Sequence, residues 1–146
     1  MTPTRRTRGH QYLIDNSVWA RVPTSAVVRA RVAQIQHDHE IVTATPQVLE
    51  AGFSARNPTD WDAIMDAMGA FTVLSMSART HDVAIDVQGI LWRSGKVRAA
   101  GAFDTLLVAI AIQHDAIVLH YDADYEHIAS VEPRLRQEWV APRGSL

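Results

Sequence analysis

The most apolar part of the chain runs over residues 103–128. Its first half carries apolar residues on nearly every face, which predicts a buried helix that begins after Gly101 and continues to His114. The four residues 116–119 are apolar and partly β-branched, which is typical of a strand buried on both faces of a parallel sheet. A helix and a strand of this kind predict the centre of a domain.

Shorter patterns of the same two kinds fill the rest of the chain. We expect further strands over residues 10–14, 41–44 and 72–74, and an edge strand within 131–140. Helical periodicity between them predicts helices over residues 18–22, 25–38, 45–57, 59–71 and 78–94. Strands that alternate with helices predict an α/β domain with a central, mostly parallel sheet covered by helices on both faces, which makes three layers.

The apolar stripes also predict which helix faces point inward. The second helix is expected to bury Val27, Val28, Val32 and Ile35. The third is expected to start with Thr45 as its N-cap and Pro46 in its first turn, and to bury Val48, Leu49 and Phe53. The fourth carries a stripe of large residues that is either core or a groove for a partner helix: Trp61, Ile64, Met65, Met68 and Phe71.

Length and composition limit the classes of protein that fit. A chain of 146 residues forms one domain, which we place at residues 10–146 after a disordered basic tail at residues 1–9. The absence of cysteine excludes disulfides, zinc-thiolate sites and thiol catalysis. No apolar run is long enough for a membrane span, and we expect a cytoplasmic protein.

Four acidic residues from distant segments fall where the carboxyl edge of the predicted sheet lies. Asp15 follows the first strand, Glu50 is one turn into the third helix, Asp104 opens the buried helix, and Asp122 follows the central strand with Asp124 close behind. Each also has an ordinary structural explanation, as a helix cap, a turn residue or a solvated side chain. Because ligand sites of such sheets lie at this edge, we expect the carboxylates to share one pocket.

An all-oxygen ligand set indicates a hard cation, Mg²⁺ or Mn²⁺. One or two such ions held by carboxylates activate water and stabilise the oxygens of a phosphoryl displacement, which is nuclease chemistry. The net charge of −2 offers no overall attraction to nucleic acid. Candidates for local phosphate contacts are Arg21, Arg79, Arg93, Lys96 and Arg98.

Four segments together resemble the PIN-domain ribonucleases of the VapC toxin type. They are residues 13–21 (LIDNSVWAR), the region of Glu50, residues 102–111 (AFDTLLVAIA) and residues 118–129 (VLHYDADYEHIA). The resemblance implies that Asp15, Glu50, Asp104 and Asp122 are the catalytic, metal-binding acids. It further implies that Asp124 is an additional acid and that the hydroxyl of Ser17 supports them.

The resemblance also implies partners and an activity. VapC-type proteins are Mg²⁺-dependent endoribonucleases that cut RNA, are silenced by a VapB-type antitoxin in the acidic groove, and are commonly homodimers. The alternatives are a non-catalytic regulator that binds RNA or protein on the same fold, and an activity on DNA or phosphomonoesters that uses the same metals. The acids alone do not distinguish these possibilities.

Overall fold

The computed structural model of the chain describes residues 9–146, so the predicted tail at residues 1–9, apart from the exposed Gly9, lies outside the described residues. Five strands form one parallel sheet: β1 (Gln11–Ile14), β2 (Glu40–Thr43), β3 (Thr72–Val73), β4 (Ile117–His120) and β5 (Arg136–Trp139). Their order is β3-β2-β1-β4-β5, and every neighbouring pair is parallel. The predicted edge strand is therefore present as β5, which begins after Pro133.

Helices connect the strands: α1 (Asn16–Trp19), α2 (Ala26–Asp38), α3 (Thr45–Phe53), α4 (Pro58–Met68), α5 (Ala78–Arg93), α6 (Ala102–His114) and α7 (Ala123–Ala129). Helices α1 and α2 pack on one face of the sheet, whereas α5, α6 and α7 pack on the other. The predicted three-layer arrangement with a parallel sheet is confirmed. None of the helices in residues 9–146 combines the length and the apolar character needed to cross a membrane.

The central strand β4 is buried on both faces. Val118 packs with α5, α6 and α7, while Ile117 and Leu119 pack with α1 and α2, and β1 divides its side chains in the same way. Full burial of each such side chain is worth about 1.5–3 kcal/mol. This double burial explains why residues 116–119 are all apolar. It also holds β1 and β4 in place, so that the residues that follow each strand lie at the carboxyl edge of the sheet.

Both predicted boundaries of helix α3 are wrong. Helix α3 has Ala44 as its N-cap, with no side-chain bond, so Thr45 is the first helical residue and not the cap. It also ends at Phe53 and not near residue 57, because Asn57 caps α4 by accepting a hydrogen bond from the backbone N–H of Asp60. The side-chain cap and the proline at the first helical position define the start of α4 more strongly than the apolar pattern does.

Several residues predicted to face inward are exposed. Val27 is 59% exposed, because Val28, 100° further round α2, occupies the inward position. In α3, Leu49 and Phe53 are 56% and 93% exposed, and Val48 is only partly buried. The side of α3 that faces the domain instead carries Pro46 and Gln47, so that the apolar residues of this helix form surface.

The stripe on α4 is only partly core. Met68 is buried, whereas Trp61 is 49% exposed and the remaining members are half-buried. Phe103, at the start of α6, is likewise exposed, although residues 107–111 of that helix are buried as predicted. Of the two interpretations of the α4 stripe, the structure favours a surface groove over a closed core.

Candidate metal centre

Asp15 is the most buried acid at the carboxyl edge of the sheet. It caps α1, is 6% exposed, and its Oδ2 accepts a hydrogen bond of 3.0 Å from the backbone N–H of Ser17. Its Oδ1 accepts a bond of 2.8 Å from the hydroxyl of Tyr125. The backbone N–H of Asp15 also donates to the carbonyl of Leu119 in β4. These bonds fix the orientation of the carboxylate before any ligand binds.

Asp104 meets Asp15 from a different layer of the fold. It lies in the first turn of α6 and is half-buried, 3.4 Å from the Tyr125 hydroxyl. Burial, followed by the negative charges of Asp15, Glu50 and Asp122, raises the pKa of Asp104 to about 6, while the hydrogen bond from Tyr125 opposes the rise. A carboxyl group with this pKa is one whose charge the surrounding protein does not fully compensate.

Glu50 is delivered by α3 and stands at the solvent side of the cluster. Its Oε2 accepts a hydrogen bond of 3.3 Å from Nδ2 of Asn16. Asn16 in turn donates to the carbonyl of Gln47 and accepts from the Gln47 side chain, at 2.9 and 3.1 Å. The buried Gln47 thus ties α3 to α1 and sets the position of Glu50 relative to Asp15.

Carboxylate oxygens of Asp15, Glu50 and Asp104 lie within 4.8 Å of one another. Within residues 9–146, this is the arrangement of acids and histidines that is close enough to hold a metal ion. All of its donors are oxygen, which favours hard divalent cations. Three of the four predicted acids are therefore brought together by segments that are far apart in the sequence.

Asp122 and Asp124 lie next to this cluster without joining it. Asp122 caps α7, and its Oδ1 accepts a bond of 2.9 Å from the backbone N–H of Asp124. Its charge nevertheless raises the pKa of Asp104, which indicates proximity. Burial, followed by the charge of Asp122, raises the pKa of Asp124, while His127 lowers it. Their roles as metal ligands stay predictions.

Ser17 supports the site differently from what the resemblance implies. Its hydroxyl accepts a bond of 2.9 Å from the backbone N–H of Tyr121, the residue before Asp122. The part of Ser17 that contacts an acid is its backbone N–H, which donates to Asp15. The hydroxyl therefore holds the turn after β4 against α1.

Tyr125 and His120 complete the surroundings of the acids. Tyr125 is 1% exposed and contacts both Asp15 and Asp104. His120 is fully buried, and its Nδ1 accepts the backbone N–H of Asp122 while Nε2 bonds to Gln137. Burial lowers the pKa of His120, so its ring is neutral and can accept that bond. The sequence signal for both was their place beside Asp122 and Asp124.

An apolar groove opens beside the acids, between α1, α3 and α4. Its volume is about 730 Å³, and Asn16 and Glu50 line the end that adjoins the acids. The walls are apolar, with contributions from Trp19, Phe53, Ile64 and Met68. An open groove with apolar walls is typical of a binding surface for another chain.

Comparisons with known proteins agree with this arrangement. The PIN domain family matches residues 12–131. Ribonuclease VapC51 of Mycobacterium tuberculosis is 35% identical over 136 residues, covering 93% of this chain and 97% of that protein. Ribonuclease VapC18 of the same species is 30% identical over 142 residues, covering 92% and 98%.

Solved structures share the fold at much lower identity. The chain resembles VapBC2 from Rickettsia felis bound to a DNA fragment from its promoter, with a TM-score of 0.74, 12% identity, and coverage of 88% of this chain and 98% of that chain. It also resembles DNA-bound VapBC from Salmonella typhimurium, with a TM-score of 0.73, 14% identity, and coverage of 91% and 100%. These similarities establish the fold.

Proposed function

Because this chain belongs to the PIN domain family, we propose that it is a Mg²⁺-dependent endoribonuclease toxin of a VapBC-type toxin–antitoxin system. It hydrolyses phosphodiester bonds of RNA. The observation that carries the proposal is the meeting of Asp15, Glu50 and Asp104 at the carboxyl edge of the sheet. The two relatives from Mycobacterium tuberculosis, which match more than nine tenths of this chain, are named ribonucleases.

The residues present fit a hard divalent ion. The three carboxylates offer only oxygen donors, and the raised pKa of Asp104 marks a negative charge that a cation would compensate. When bound, Mg²⁺ supplies Lewis-acid activation of water and stabilisation of the phosphoryl oxygens. Mn²⁺ fits the same donors.

The protein side of the mechanism is mainly preorganisation. Asp15, Glu50 and Asp104 hold the ion, and Asp122 and Asp124 extend the acidic surface on the α7 side. The Tyr125 hydroxyl and the Ser17 backbone N–H keep the Asp15 carboxylate in one orientation. Groups held in place before the reaction stabilise a transition state without further reorganisation.

Cleavage of a defined single-stranded RNA with Mg²⁺, and with EDTA in its place, tests the proposal. Asp104→Asn and Asp15→Asn should abolish cleavage while circular dichroism and the urea midpoint show a folded protein. Asp82→Asn, an exposed acid on α5, is the matched control and should cut at the wild-type rate. Wild-type cleavage by Asp104→Asn, or cleavage that is indifferent to EDTA, contradicts the proposal.

The same assay separates the alternatives. A non-catalytic regulator binds RNA or a protein partner but shows no metal-dependent cleavage, and its binding changes little in the acid-to-amide variants. An activity on DNA or phosphomonoesters appears when those substrates are tested beside RNA. The ribonuclease proposal requires that RNA be cut and that the other two substrates be cut far more slowly.

The proposal includes a VapB-type antitoxin as the partner. The resembling structures from Rickettsia felis and Salmonella typhimurium are VapBC complexes. The apolar groove between α1, α3 and α4 provides a surface for such a partner, with Glu50 at the end that adjoins the acids. A partner in this groove would reach the metal centre. The homodimer implied by the resemblance stays a prediction, which light scattering of the purified protein tests.

A further inference from the structure

A second pocket shares no lining residue with the apolar groove. It has a volume of about 470 Å³ and lies between the segment after α5 and helix α7. Asp124 and His127 form its α7 side. Because Asp124 is two residues from Asp122, this pocket is next to the metal centre.

The other wall of the pocket is basic. It is built by residues 95–99, which include Lys96 and Arg98. Lys96 is the single lysine of the chain. With Asp124 as the one acid of the lining, the two permanent cations Lys96 and Arg98 give the pocket a net positive charge beside an otherwise acidic edge.

The backbone that carries these cations is held firmly. Helix α5 ends in a Schellman motif, in which Lys96 N–H donates to Leu91 O at 2.8 Å and Gly95 N–H donates to Trp92 O at 3.2 Å. Gly95 has a φ of 69°, which glycine adopts without strain. The 3-10 turn Val97–Ala99 follows, and its Ala99 packs against the core. The two cations therefore project from a fixed turn.

Both cations are available to a ligand. The ion pairs found in residues 9–146 engage Arg31, Arg56, Arg134 and Arg136, but neither Lys96 nor Arg98. A permanent cation without an ion-pair partner is stabilised electrostatically when an anion binds to it. Two such groups beside an active site therefore indicate an anionic ligand.

Two of the other basic candidates from the sequence, Arg21 and Arg79, are less suitable. Arg21 donates to the Ser17 carbonyl at 2.7 Å and lies 4.5 Å above the ring of Tyr121, so its guanidinium already has partners. Arg79 is in the first turn of α5, and Ser77, which caps this helix, accepts a hydrogen bond from Gln113 near the C-terminus of α6. Gln113 is roughly 13 Å from Asp104 along α6, at 1.5 Å per residue, so Arg79 lies at the far end of that helix.

We propose that the pocket formed by residues 95–99 and helix α7 binds a backbone phosphate of the RNA strand, adjacent to the phosphate that is cut. The inference rests on the proposed ribonuclease activity and adds to it the residues that hold the substrate. The carboxylates repel RNA, and the net charge of the chain is −2, so attraction to the strand must come from local cations. Lys96 and Arg98 supply it at one side of the metal centre.

The test is RNA binding as a function of salt. A double variant, Lys96→Gln with Arg98→Gln, keeps most of each aliphatic stem and removes both charges. Binding of a short fluorescent RNA is followed by anisotropy in an Asp104→Asn background with Mg²⁺, so that the RNA stays intact. Arg79→Gln is the matched control, because it removes an exposed charge at the far end of α6.

We expect the double variant to bind RNA at least tenfold more weakly at low salt. The slope of log K against log salt should fall by about 0.7 for each phosphate that the variant no longer neutralises. Arg79→Gln should change neither quantity, and Lys96→Arg should retain most of the affinity. Unchanged affinity and an unchanged slope in the double variant, with the urea midpoint of a folded protein, overturn the inference.

Failure of the proposed function gives a different result. In that case the wild-type chain leaves RNA uncut in Mg²⁺, and the parent Asp104→Asn chain shows no salt-dependent RNA binding. Cleavage by the wild type, combined with a double variant that binds as the parent does, overturns the phosphate pocket alone.

Discussion

The hydroxyl of Tyr125 donates a hydrogen bond of 2.8 Å to Oδ1 of Asp15 across 110 residues of sequence. The same hydroxyl lies 3.4 Å from Oδ1 of Asp104. Burial, together with the charges of Asp15 and Asp104, raises the pKa of Tyr125, so the phenol stays protonated and acts as a donor. One neutral side chain therefore bridges two of the carboxylates that repel each other.

Replacing Tyr125 by Phe should weaken the site while the aromatic packing stays. The loss of a buried hydrogen bond to a charged group should lower the free energy of unfolding in EDTA by about 1.5–3 kcal/mol. Without its anchor, Asp15 should also bind Mn²⁺ about 10–100-fold more weakly, since groups that orient a ligand have effects of this size. Urea unfolding and calorimetric Mn²⁺ titration measure the two effects.

Tyr12→Phe is the control for this variant. Tyr12 is also buried and donates to a carboxylate, that of Glu138, but on the opposite face of the sheet from Tyr125 and away from the acid cluster. Tyr12→Phe should lower the free energy of unfolding by about 1 kcal/mol or less, because Glu138 is partly solvated. It should leave Mn²⁺ affinity unchanged. Equal Mn²⁺ affinity in Tyr125→Phe and Tyr12→Phe would show that Tyr125 does not orient a ligand.

The pKa of Asp104 predicts how the stability of the metal-free protein depends on pH. Its folded pKa of about 6 lies above the ordinary value of 3.8, so between these values the folded state binds more protons than the unfolded state. The Asp104 contribution is therefore most favourable below pH 4 and is lost as the pH rises through 6. Asp104→Asn should remove this loss and be more stable than the wild type at pH 7 in EDTA.

The comparison with Asp104→Asn is needed because His120 acts in the opposite direction. Its lowered pKa means that the unfolded state binds more protons, so its contribution falls as the pH falls. Urea midpoints of both proteins from pH 4 to pH 7 give the difference. The stability of the wild type relative to Asp104→Asn should fall as the pH rises from 4 to 7. If it does not fall, the raised pKa is not that of Asp104.

The layout of the metal centre could be predicted from the sequence because it depends on element ends. Asp15 directly follows a strand and Asp104 opens an apolar helix, and the parallel sheet places both at one edge. The double burial of β4 was equally visible in residues 116–119, since apolar side chains on both faces give an uninterrupted run. Such features follow from local order along the chain.

The remaining features depend on contacts that a local pattern does not contain. The outward position of Phe53 results from how α3 is rotated, and this rotation is fixed by the bonds of Gln47 to Asn16. The importance of Tyr125 depends on a contact with Asp15, far away in sequence. In the sequence, Lys96 and Arg98 are two of several scattered basic residues, and only the fold of the turn after α5 brings them to α7.

His120 should prove essential for the turn that carries Asp122. It packs against the rings of Tyr125 and Trp139 at centroid distances of 5.0 and 4.9 Å, and its Nδ1 accepts the Asp122 backbone N–H. His120→Ala should lower the free energy of unfolding by about 2–4 kcal/mol through the cavity and the unpaired N–H. Urea unfolding measures this, with the exposed His81→Ala as the control. A loss as small as that of the control would mean that the turn holds without the imidazole.

Phe53→Ser should separate partner binding from folding. Phe53 is 93% exposed and lines the apolar groove, so the free chain should change in stability by less than about 0.5 kcal/mol. Loss of a large apolar anchor should nevertheless weaken binding of the VapB-type antitoxin at least 30-fold, or about 2 kcal/mol. Calorimetric titration with the antitoxin measures this. Ile85→Ser, which removes a 57% exposed residue from α5, is the control and should bind as the wild type does. If Phe53→Ser binds the antitoxin as tightly as Ile85→Ser, the partner occupies another surface.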